Sequence, residues 1–284
     1  MQDRVNIAIM GAAGRMGKML IRSVMLHPKA RLVGAIASSN SSVLGMDSGL
    51  VAGMDQNHIP FRDDFIELLA HGLKQHDDQQ GDNTHPVHVV IDFSTKENAL
   101  NTASLCAQNN NALVLGVTGF NPAEQAQLSK ITRHCPLVQA ANFSIGVTLA
   151  CVMAEKMARI LDDDYDIEIV EMHHKHKLDA PSGTALALGK AAAKGRDIDH
   201  ETRAIYERAG HIGARGRGDI GYAALRGGDV VGDHQIIFAG NGERVSLGHQ
   251  ASDRHIFSDG AVRAAIFAAS AAKGHYSMRD VLGL

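Results

Sequence analysis

Three closely spaced histidines in the second half of the sequence could transfer protons or bind a metal. His173, His174 and His176 lie in the segment EMHHKHKLDAPSGTA, residues 171–185. As a metal site they lack Cys, Asp or Glu partners at the usual spacings, and neighbours on a strand point to opposite faces. Two other interpretations are the solvated end of a polar strand and an acid/base site beside an anion-binding turn.

The acid/base interpretation draws on the residues that follow these histidines. A histidine can donate a proton near neutral pH, which is typically worth about 10²–10⁴-fold in rate. Lys177 adds a positive charge, and the start of a helix offers backbone N–H groups to a carboxylate. On an extended strand His173 and Lys177 would lie roughly 13 Å apart, so the chain must bend after His174 for both to touch one small substrate. The residues at the helix start are Ser182, Gly183 and Thr184.

A glycine-rich turn near the beginning of the sequence could bind a dinucleotide. It follows an apolar strand and opens a helix, which is the context that such a site needs. Glycines allow a tight turn and a close approach of the backbone to a pyrophosphate, and the helix N-terminus adds partial positive charge. The spacing is G-x-x-G-x-x-G rather than the commoner G-x-G-x-x-G. The residues of the turn are Gly11, Ala12, Ala13, Gly14, Arg15, Met16 and Gly17.

The end of the second strand bears on the choice of cofactor. An acidic residue there would hold the ribose 2′-hydroxyl of NADH, but Ile36 is followed by Ala37, Ser38, Ser39 and Asn40. Small hydroxyl and amide side chains leave room for a 2′-phosphate and can hydrogen-bond to it. The sequence therefore favours NADPH over NADH.

Hydrophobic patterning predicts the elements around the glycine turn. A strand over residues 5–10, a helix from about residue 16 to 26 and a strand over 32–36 form the opening of a parallel doubly wound sheet. The run 71–86 is rich in His, Gln, Asp and Asn and is predicted to be a solvated loop, because it has little to bury. Further strands are predicted at residues 88–93, 112–116 and 136–140.

The pattern changes after about Ser144. A long helix is predicted over about residues 146–161, and the next segment alternates like a half-buried strand. Residues 218–250 are predicted to form antiparallel strands, with a hairpin turn at Asn241-Gly242. The remaining elements are a strand at 166–173, a helix from about Ser182 to Ala193, and a helix over 258–273 that Gly274 ends.

Composition excludes several classes of protein. The chain has 284 residues, enough for two domains of about 150 residues. Its 28 Lys+Arg and 31 Asp+Glu give a net charge of −3, which argues against a nucleic-acid or membrane-surface binder. No stretch approaches the ~20 apolar residues of a membrane span, and Asp3 and Arg4 do not fit a secretory signal. Three scattered cysteines form no disulfide framework, so we expect a cytoplasmic protein with no membrane or nucleic-acid partner.

Several motifs spread over essentially the whole chain occur in the order of a known family. The sequence resembles the dihydrodipicolinate reductases (4-hydroxy-tetrahydrodipicolinate reductases) of bacterial lysine and diaminopimelate synthesis, with the run near 71–86 as an insertion. The matching motifs are the glycine turn, Ile91-Asp92-Phe93-Ser94, Gly116-Val117-Thr118-Gly119, Ala141-Asn142-Phe143-Ser144-Ile145-Gly146, the segment 171–185, Arg254, and Phe257-Ser258-Asp259-Gly260-Ala261.

The resemblance implies a reaction and a set of site residues. Hydride would pass from NAD(P)H to C4 of an unsaturated cyclic imine dicarboxylate, with no metal. His173 falls at the catalytic proton-donor position and Lys177 at the position of a second donor or substrate-orienting group. His174, Gly183 and Thr184 fall on substrate-binding positions, beside Ser182. The positions that line the nicotinamide are Gly116, Val117, Thr118, Ala140, Ala141, Asn142 and Phe143.

The resemblance also completes the expected architecture, an α/β fold with a Rossmann-type doubly wound parallel sheet. A second, α+β domain with a mostly antiparallel sheet would bind substrate and assemble a homotetramer. The C-terminal helix would pack back on the nucleotide domain. We therefore expect a dinucleotide-binding domain over 1–144 and 255–284, and a substrate-binding and oligomerisation domain over 145–254.

Two departures from the family pattern concern the cofactor. The family often carries an acid–Arg pair after the second strand, where this sequence has Ala37-Ser38-Ser39-Asn40. Some members place an Arg after the Asp-Phe-Ser/Thr motif, where this sequence continues Ser94-Thr95-Lys96. Both departures bear on the preference between NADH and NADPH and not on the reaction.

Two other functions are alternatives. Another two-domain dehydrogenase of amino-acid metabolism could act through a cysteine, but that chemistry needs a positioned thiolate. Cys106, Cys135 and Cys151 are interpreted more simply as core or helix filler. A nucleotide-sensing regulator would need a basic DNA-reading element, and the net charge of −3 argues against one.

Overall fold

The computed structural model describes residues 4–77 and 81–284. They form two compact units. The first unit contains the described residues up to Phe143 together with His255–Leu284, and the second contains Ser144–Arg254. Within the described residues, no helix is long and apolar enough to cross a membrane.

Strands and helices alternate through the first unit and give way to a mixed arrangement in the second. The strands are β1 (Val5–Met10), β2 (Ala30–Ile36), β3 (Phe61–Arg62), β4 (Leu73–Asp77), β5 (Gly81–His85), β6 (Val89–Asp92), β7 (Ala112–Leu115), β8 (Pro136–Gln139), β9 (Asp166–His173), β10 (Ala204–Ile205), β11 (Ile220–Arg226), β12 (Gly232–Ala239), β13 (Arg244–Ala251) and β14 (Gly274–Tyr276). The helices are α1 (Arg15–Leu26), α2 (Ser48–Val51), α3 (Phe65–His71), α4 (Lys96–Asn109), α5 (Pro122–Ile131), α6 (Ile145–Leu161), α7 (Gly183–Gly195), α8 (His200–Arg203), α9 (His255–Ala268) and α10 (Met278–Leu282).

The first unit is built on a seven-stranded sheet in the order β14-β8-β7-β6-β1-β2-β3. Every neighbouring pair in this sheet is parallel. Strands β6 and β7 are buried along their whole length, as expected for a parallel sheet that is covered on both faces. The predicted Rossmann-type doubly wound sheet is confirmed.

The C-terminal helix α9 packs against α1 and β7 within this unit. The Ser23 hydroxyl in α1 lies 2.8 Å from Oγ of Ser258 and 2.6 Å from the Asp259 carboxylate, either of which can accept its one proton. The predicted end of this helix at Gly274 was wrong. The helix ends at Ala268 and passes into turns, and Gly274 begins β14, whose pairing with β8 adds an edge strand to the sheet.

The polar run at 71–86 is not a simple loop, so that prediction was wrong. Helix α3 ends at His71, and β4 and β5 then pair as an antiparallel hairpin. Residues 78–80, also part of the predicted loop, lie outside the described residues. The segment does have something to bury, because Leu73 lies in the core of the first unit. His85 also contacts Arg31, with 2.8 Å between Nδ1 and Nη1.

The second unit contains a five-stranded sheet in the order β10-β11-β9-β12-β13. Strand β12 pairs antiparallel with both β9 and β13, and Gly242 in the predicted hairpin turn has φ +93°. Strand β11 differs from the antiparallel prediction, because it runs parallel to β9. Helix α7 lies in the connection between these two strands, and a crossover of that kind returns the chain in the same direction. The sheet is therefore mixed.

The two faces of this sheet are buried to different degrees. Ile167, Ile169, Glu171 and His173 alternate along β9 on the face that is fully buried, which also carries the apolar core beneath α6 and α7. The intervening residues of β9 are only half-buried, as is Ile237 on β12. Strand β9 therefore brings two ionisable side chains to the buried face.

We expect Gly260→Ala to destabilise the first unit. A Cβ at Gly260 would lie 1.8 Å from the carbonyl oxygen of Phe143, so α9 would have to shift. Overpacking of this kind costs about 1–3 kcal/mol or more, and urea unfolding measures it. Gly274→Ala is the control, because the nearest atoms to its Cβ would be the Tyr276 hydroxyl at 3.3 Å and ring carbons of Tyr276 at 3.4 Å. Equal stabilities of the two variants would contradict the expectation.

Candidate active site

The glycine turn joins β1 to α1 and leaves the start of the helix uncapped by any side chain. Gly11 has φ +71°, a conformation that favours glycine, and Gly14 is the N-cap of α1. A Cβ at Gly17 would lie 2.3 Å from the carbonyl oxygen of Gly11, so the turn can close only with glycine there. The first turn of α1 carries no acidic residue. This end of the helix therefore suits an anionic group such as a pyrophosphate.

A cavity of about 1010 Å³ opens beside this turn in the first unit. It is also lined by the residues after β2 and by Phe93 and Ser94 after β6, so it lies at the carboxyl ends of parallel strands. Its size and its uncapped helix start fit a dinucleotide. The predicted cofactor residues that line it are Gly11, Ala13, Gly14, Ser38 and Ser39.

The other predicted cofactor residues occupy the same turn or the ends of neighbouring strands. Ala12 and Gly17 are buried within the turn, and Arg15 and Met16 begin α1. A Cβ on Gly116 would lie 2.3 Å from the Phe93 ring, whose centroid is 5.5 Å from that of Phe143. The residues that directly follow β7 are Gly116, Val117 and Thr118, and those that follow β8 are Ala140, Ala141, Asn142 and Phe143.

The rim of this cavity carries charges that the sequence analysis missed. Arg62 pairs in register with Ile36 at the end of β2. Its guanidinium donates to the Asp64 carboxylate, with 2.7 Å from Nε to Oδ1, and lies 3.8 Å from Glu67. Hydrogen bonding to Arg62 lowers the pKa of Asp64. An arginine and its paired carboxylates thus stand next to the end of β2.

In the second unit, His173 ends β9 with its Nδ1 held by a buried carboxylate. The distance from Nδ1 to Oε2 of Glu171 is 2.6 Å, and Glu171 is 1% exposed. Arg226 donates two hydrogen bonds of 2.8 Å to the same carboxylate, and the backbone N–H of Ser182 donates a third at 3.1 Å. Burial raises the pKa of Glu171, but the hydrogen bonds from Arg226 and His173 outweigh it and lower the pKa.

A second buried histidine lies against His173. The ring of His234 meets the His173 ring edge-on, with 5.0 Å between centroids, and its Nε2 is 2.8 Å from Oγ of Ser182. Its Nδ1 has no hydrogen-bond partner among the described residues. Burial, followed by the neighbouring His173 and His249, lowers the pKa of His234 to about 4.

The chain bends directly after His174, as a joint role of His173 and Lys177 requires. The backbone N–H of Lys177 donates to the carbonyl of His174 at 3.1 Å, which closes a turn. The Lys177 ammonium donates to the Asp179 carboxylate at 2.8 Å. Helix α7 then begins at Gly183, where a Cβ would meet no atom within 4 Å, so the helix start faces open space at this residue.

A cavity of about 550 Å³ opens at the bend. Arg254 approaches His174, with 3.4 Å from Nη2 to Nε2. Partial burial, followed by the charge of Arg254, lowers the pKa of His174. The residues that line this cavity are His174, Lys175, His176, Gly228, Asp229 and Arg254.

Three comparisons relate this arrangement to known proteins. The family model "Dihydrodipicolinate reductase, N-terminus" matches residues 5–143, and "Dihydrodipicolinate reductase, C-terminus" matches residues 146–282. The chain belongs to the dihydrodipicolinate reductase family. Members of this family are NAD(P)H-dependent oxidoreductases.

Individual relatives agree with the family assignment. The 4-hydroxy-tetrahydrodipicolinate reductase 1 of Mesorhizobium japonicum is 46% identical over 281 residues, 99% of this chain and 97% of that protein. The 4-hydroxy-tetrahydrodipicolinate reductase of Methylocella silvestris is 44% identical over 280 residues, with the same shares covered. These matches confirm the predicted family and reductase activity, and they do not favour the alternative dehydrogenase or regulator.

Solved structures give the same fold. Dipicolinate-bound dihydrodipicolinate reductase from Paenisporosarcina sp. TG-14 superposes with a TM-score of 0.71 at 26% identity, covering 96% of this chain and 97% of that one. A probable dehydrogenase from Thermotoga maritima superposes with a TM-score of 0.57 at 12% identity, covering 98% and 92%, and shows the fold alone. The predicted α/β fold class is confirmed.

The structure brings the predicted second-unit residues of this family member together around one bend. These residues differ in their exposure to a ligand. Ser182 is 2% exposed, its N–H donates to Glu171, and its Oγ accepts from the N–H of Ala185. No group of three or more His, Cys, Asp or Glu side chains in the described part of the chain is placed to hold a metal ion.

The sequence analysis missed three members of the cluster: Glu171, Arg226 and His234. Glu171 could have been found, because it alternates with His173 along a predicted strand and must share its face. Arg226 and His234 lie 55 and 52 residues from their partners in the chain, and no local pattern connects them.

We expect the buried His234 to make stability depend on pH. The unfolded chain takes up a proton on this histidine below about pH 6.5, whereas the folded protein does so only near pH 4. Its contribution is therefore present above pH 6.5 and is lost as pH falls from 6.5 to 4, by about 3 kcal/mol at most.

Urea unfolding at several pH values between 4 and 7 measures this dependence. His234→Gln, which is neutral throughout, should flatten it, whereas His211→Gln at an exposed position is the control. An unchanged slope in His234→Gln would show that another group is responsible.

Proposed function

We propose that this chain reduces 4-hydroxy-tetrahydrodipicolinate (dihydrodipicolinate) to tetrahydrodipicolinate, with His173 as the catalytic proton donor. The observation that carries the assignment is the buried pairing of His173 with Glu171 beside a cationic bend and a helix start. Hydride addition leaves an electron-rich atom on the substrate that must take a proton. A histidine held in one orientation is suited to deliver that proton.

The bend between β9 and α7 supplies groups for a dianionic substrate. We assign Lys177 as a second donor or substrate-orienting cation, and His174, Gly183 and Thr184 as substrate contacts. Ser182 belongs to this set as the N-cap of α7, because its hydroxyl accepts from the N–H of Ala185 and so fixes the helix start. The dicarboxylate dipicolinate is named as the ligand of the related structure from Paenisporosarcina, which supports a small dicarboxylate as substrate here.

Lys177 already has a carboxylate partner, Asp179, whose side chain is 68% exposed. A substrate carboxylate can take the place of Asp179 at the ammonium group without leaving a buried charge unpaired. Arg254 adds a second cation at the neighbouring cavity. We therefore propose that the two carboxylates of the substrate are recognised by these cations and by the N–H groups at the start of α7.

The first unit would hold the nicotinamide cofactor, which supplies the hydride when bound. We propose that the glycine turn, residues 11–17, binds the pyrophosphate at the start of α1, and that Ser38 and Ser39 contact the ribose. The positions after β7 and β8 would line the nicotinamide, namely Gly116, Val117, Thr118, Ala140, Ala141, Asn142 and Phe143.

We further propose that NADPH is preferred to NADH. Ser38 and Ser39 line the cavity where a carboxylate would reject a 2′-phosphate. Arg62 lies on the neighbouring strand, where its carbonyl accepts from the N–H of Ala37 at 2.9 Å. A bound 2′-phosphate would compete with Asp64 and Glu67 for this guanidinium. Arginine is suited to that exchange because its planar fork matches phosphate and carboxylate alike.

We propose the same division of roles for the whole chain: cofactor binding by residues 1–144 and 255–284, and substrate binding and assembly by 145–254. A homotetramer is the proposed assembly. The outer face of the mixed sheet supports it, because Val170, Met172 and Ile237 are half-buried there and Leu225 is 50% exposed. Cys106 and Cys135 are buried as thiols and not joined in a disulfide, which supports a cytoplasmic location, since thiols persist in reducing compartments.

We expect His173→Gln to lower kcat by about 10²–10⁴-fold with a smaller change in KM, because the proton donor acts in the transition state. Lys177→Ala should lower kcat as well as weaken substrate binding. The assay follows NADPH absorbance with substrate formed in situ by the preceding synthase. Near-wild-type turnover in both variants would contradict the assigned roles.

We expect kcat/KM to be higher with NADPH than with NADH. Arg62→Ala should lower the NADPH value about tenfold more than the NADH value, since one charged hydrogen bond is worth about 1.5–3 kcal/mol. Lys29→Ala removes an exposed cation from the same unit and is the control. A tenfold or greater preference of the unaltered protein for NADH would overturn the assignment.

A further inference from the structure

We propose that Nε2 of His173 is the nitrogen that delivers the proton, and that Glu171 and Gly232 place it there. Glu171 is a positioning residue that holds Nδ1, and Gly232 leaves the space in front of Nε2 open. The inference rests on the proposed function, in which His173 is the donor, and it adds which ring nitrogen acts and what selects it.

Glu171 determines which nitrogen of His173 carries the fixed proton. An ionised carboxylate only accepts hydrogen bonds, so the nitrogen 2.6 Å from Oε2 must be Nδ1–H. Each oxygen of Glu171 has two donors: Oε1 accepts from Arg226 and Ser182, and Oε2 from Arg226 and His173. Because Nδ1–H stays hydrogen-bonded to the carboxylate, Nε2 is the ring nitrogen that can exchange its proton with a substrate.

The hydrogen bonds that Arg226 and the N–H of Ser182 donate to Glu171, here called the Glu171 clamp, hold its side chain rigidly because the donors come from different elements. Arg226 is the register partner of His173 on the neighbouring strand β11, and its Nη2 also donates to the carbonyl of Asp179 at 2.7 Å. Ser182 contributes its N–H from the end of the bend. A shift of the Glu171 side chain would break bonds to both, so the ring of His173 is held in one orientation.

Gly232 keeps the opposite side of the ring open. It begins β12, and a Cβ there would lie 3.0 Å from Nε2 and 3.4 Å from Cδ2 of His173. A carbon 3.0 Å from a ring nitrogen is closer than an ordinary van der Waals contact, and the same Cβ would lie 3.3 Å from Cε1 of His234. A methyl group at this position would therefore crowd Nε2, whereas glycine does not.

His234 does not form a hydrogen bond with Nε2 of His173. Its own Nε2 faces Ser182, and the two rings meet edge-on without a hydrogen bond between them. Burial keeps His234 neutral near pH 7, with its pKa lowered to about 4. Among the described residues, Nε2 of His173 has no hydrogen-bond partner of its own. It is left for the substrate.

The step balances with these groups. The hydride brings an electron pair to the substrate, and the electron-rich atom so formed takes the proton from Nε2 as the N–H bond breaks. The nitrogen keeps the bonding pair, and the ring becomes neutral with Nδ1–H still donating to Glu171. Solvent returns the proton to Nε2 before the next turnover.

Glu171→Gln tests the positioning role. The expected result is a fall in kcat of about 10²-fold or more with KM changed less than about threefold, because the amide no longer selects one tautomer. NMR of ¹⁵N-labelled histidine in the neutral ring state should report Nδ1–H for His173 in the unaltered protein and a mixture in the variant. A merely structural role would not move this tautomer signal.

Gly232→Ala tests the open space and leaves the Glu171 clamp intact, so it remains informative if Glu171→Gln fails to fold. We expect kcat to fall at least about tenfold, since displacement of a reacting group by a fraction of an ångström is costly. Gly248→Ala on β13 is the matched control, because its Cβ would meet only a backbone oxygen at 3.9 Å. It should keep the activity of the unaltered protein.

The outcomes separate this inference from the proposed function. An inactive His173→Gln together with normal kcat in Glu171→Gln, or with an Nε2–H tautomer in the unaltered protein, would overturn the inference and leave the function in place. Normal kcat in Gly232→Ala would overturn the part assigned to Gly232. Normal turnover in His173→Gln would instead remove the proposed function.

Discussion

The pairing of the buried Glu171 carboxylate is the interaction on which the second unit depends. It lies in the interior at 1% exposure with a guanidinium, an imidazole and a backbone N–H as its donors. An unpaired charge at such a position would cost several kcal/mol. The pairing therefore requires β9, β11 and the start of α7 to meet at one point, and this meeting places the residues proposed to bind substrate.

Both predicted anion sites use the start of a helix, but in different ways. Helix α1 has glycine as its N-cap, so no side chain competes with a ligand for its first N–H groups. Helix α7 is capped by Ser182, whose hydroxyl accepts from Ala185 and contacts His234. The first arrangement suits a diphosphate that fills the helix end. In the second, the Ser182 hydroxyl already occupies one N–H at the helix end, so the proposed recognition of substrate carboxylates also depends on lysine and arginine.

Sequence reasoning succeeded where the signal is local. The glycine turn between β1 and α1 and the alternation along β9 depend on residues a few positions apart. It failed where tertiary pairing decides. The direction of β11, the strand after Gly274 and the role of Arg226 each depend on a partner many tens of residues away, and no periodicity records such a partner.

The placement of α9 and β14 in the first unit has a consequence for the order in which the molecule can be completed. The ribosome produces residues 144–254 before residues 255–284, yet the first unit needs the latter to cover its sheet and add its last edge strand. During synthesis the second unit is therefore the first of the two to have all of its described residues available. The parallel sheet of the first unit keeps part of its apolar surface uncovered until residues 255–284 have been made.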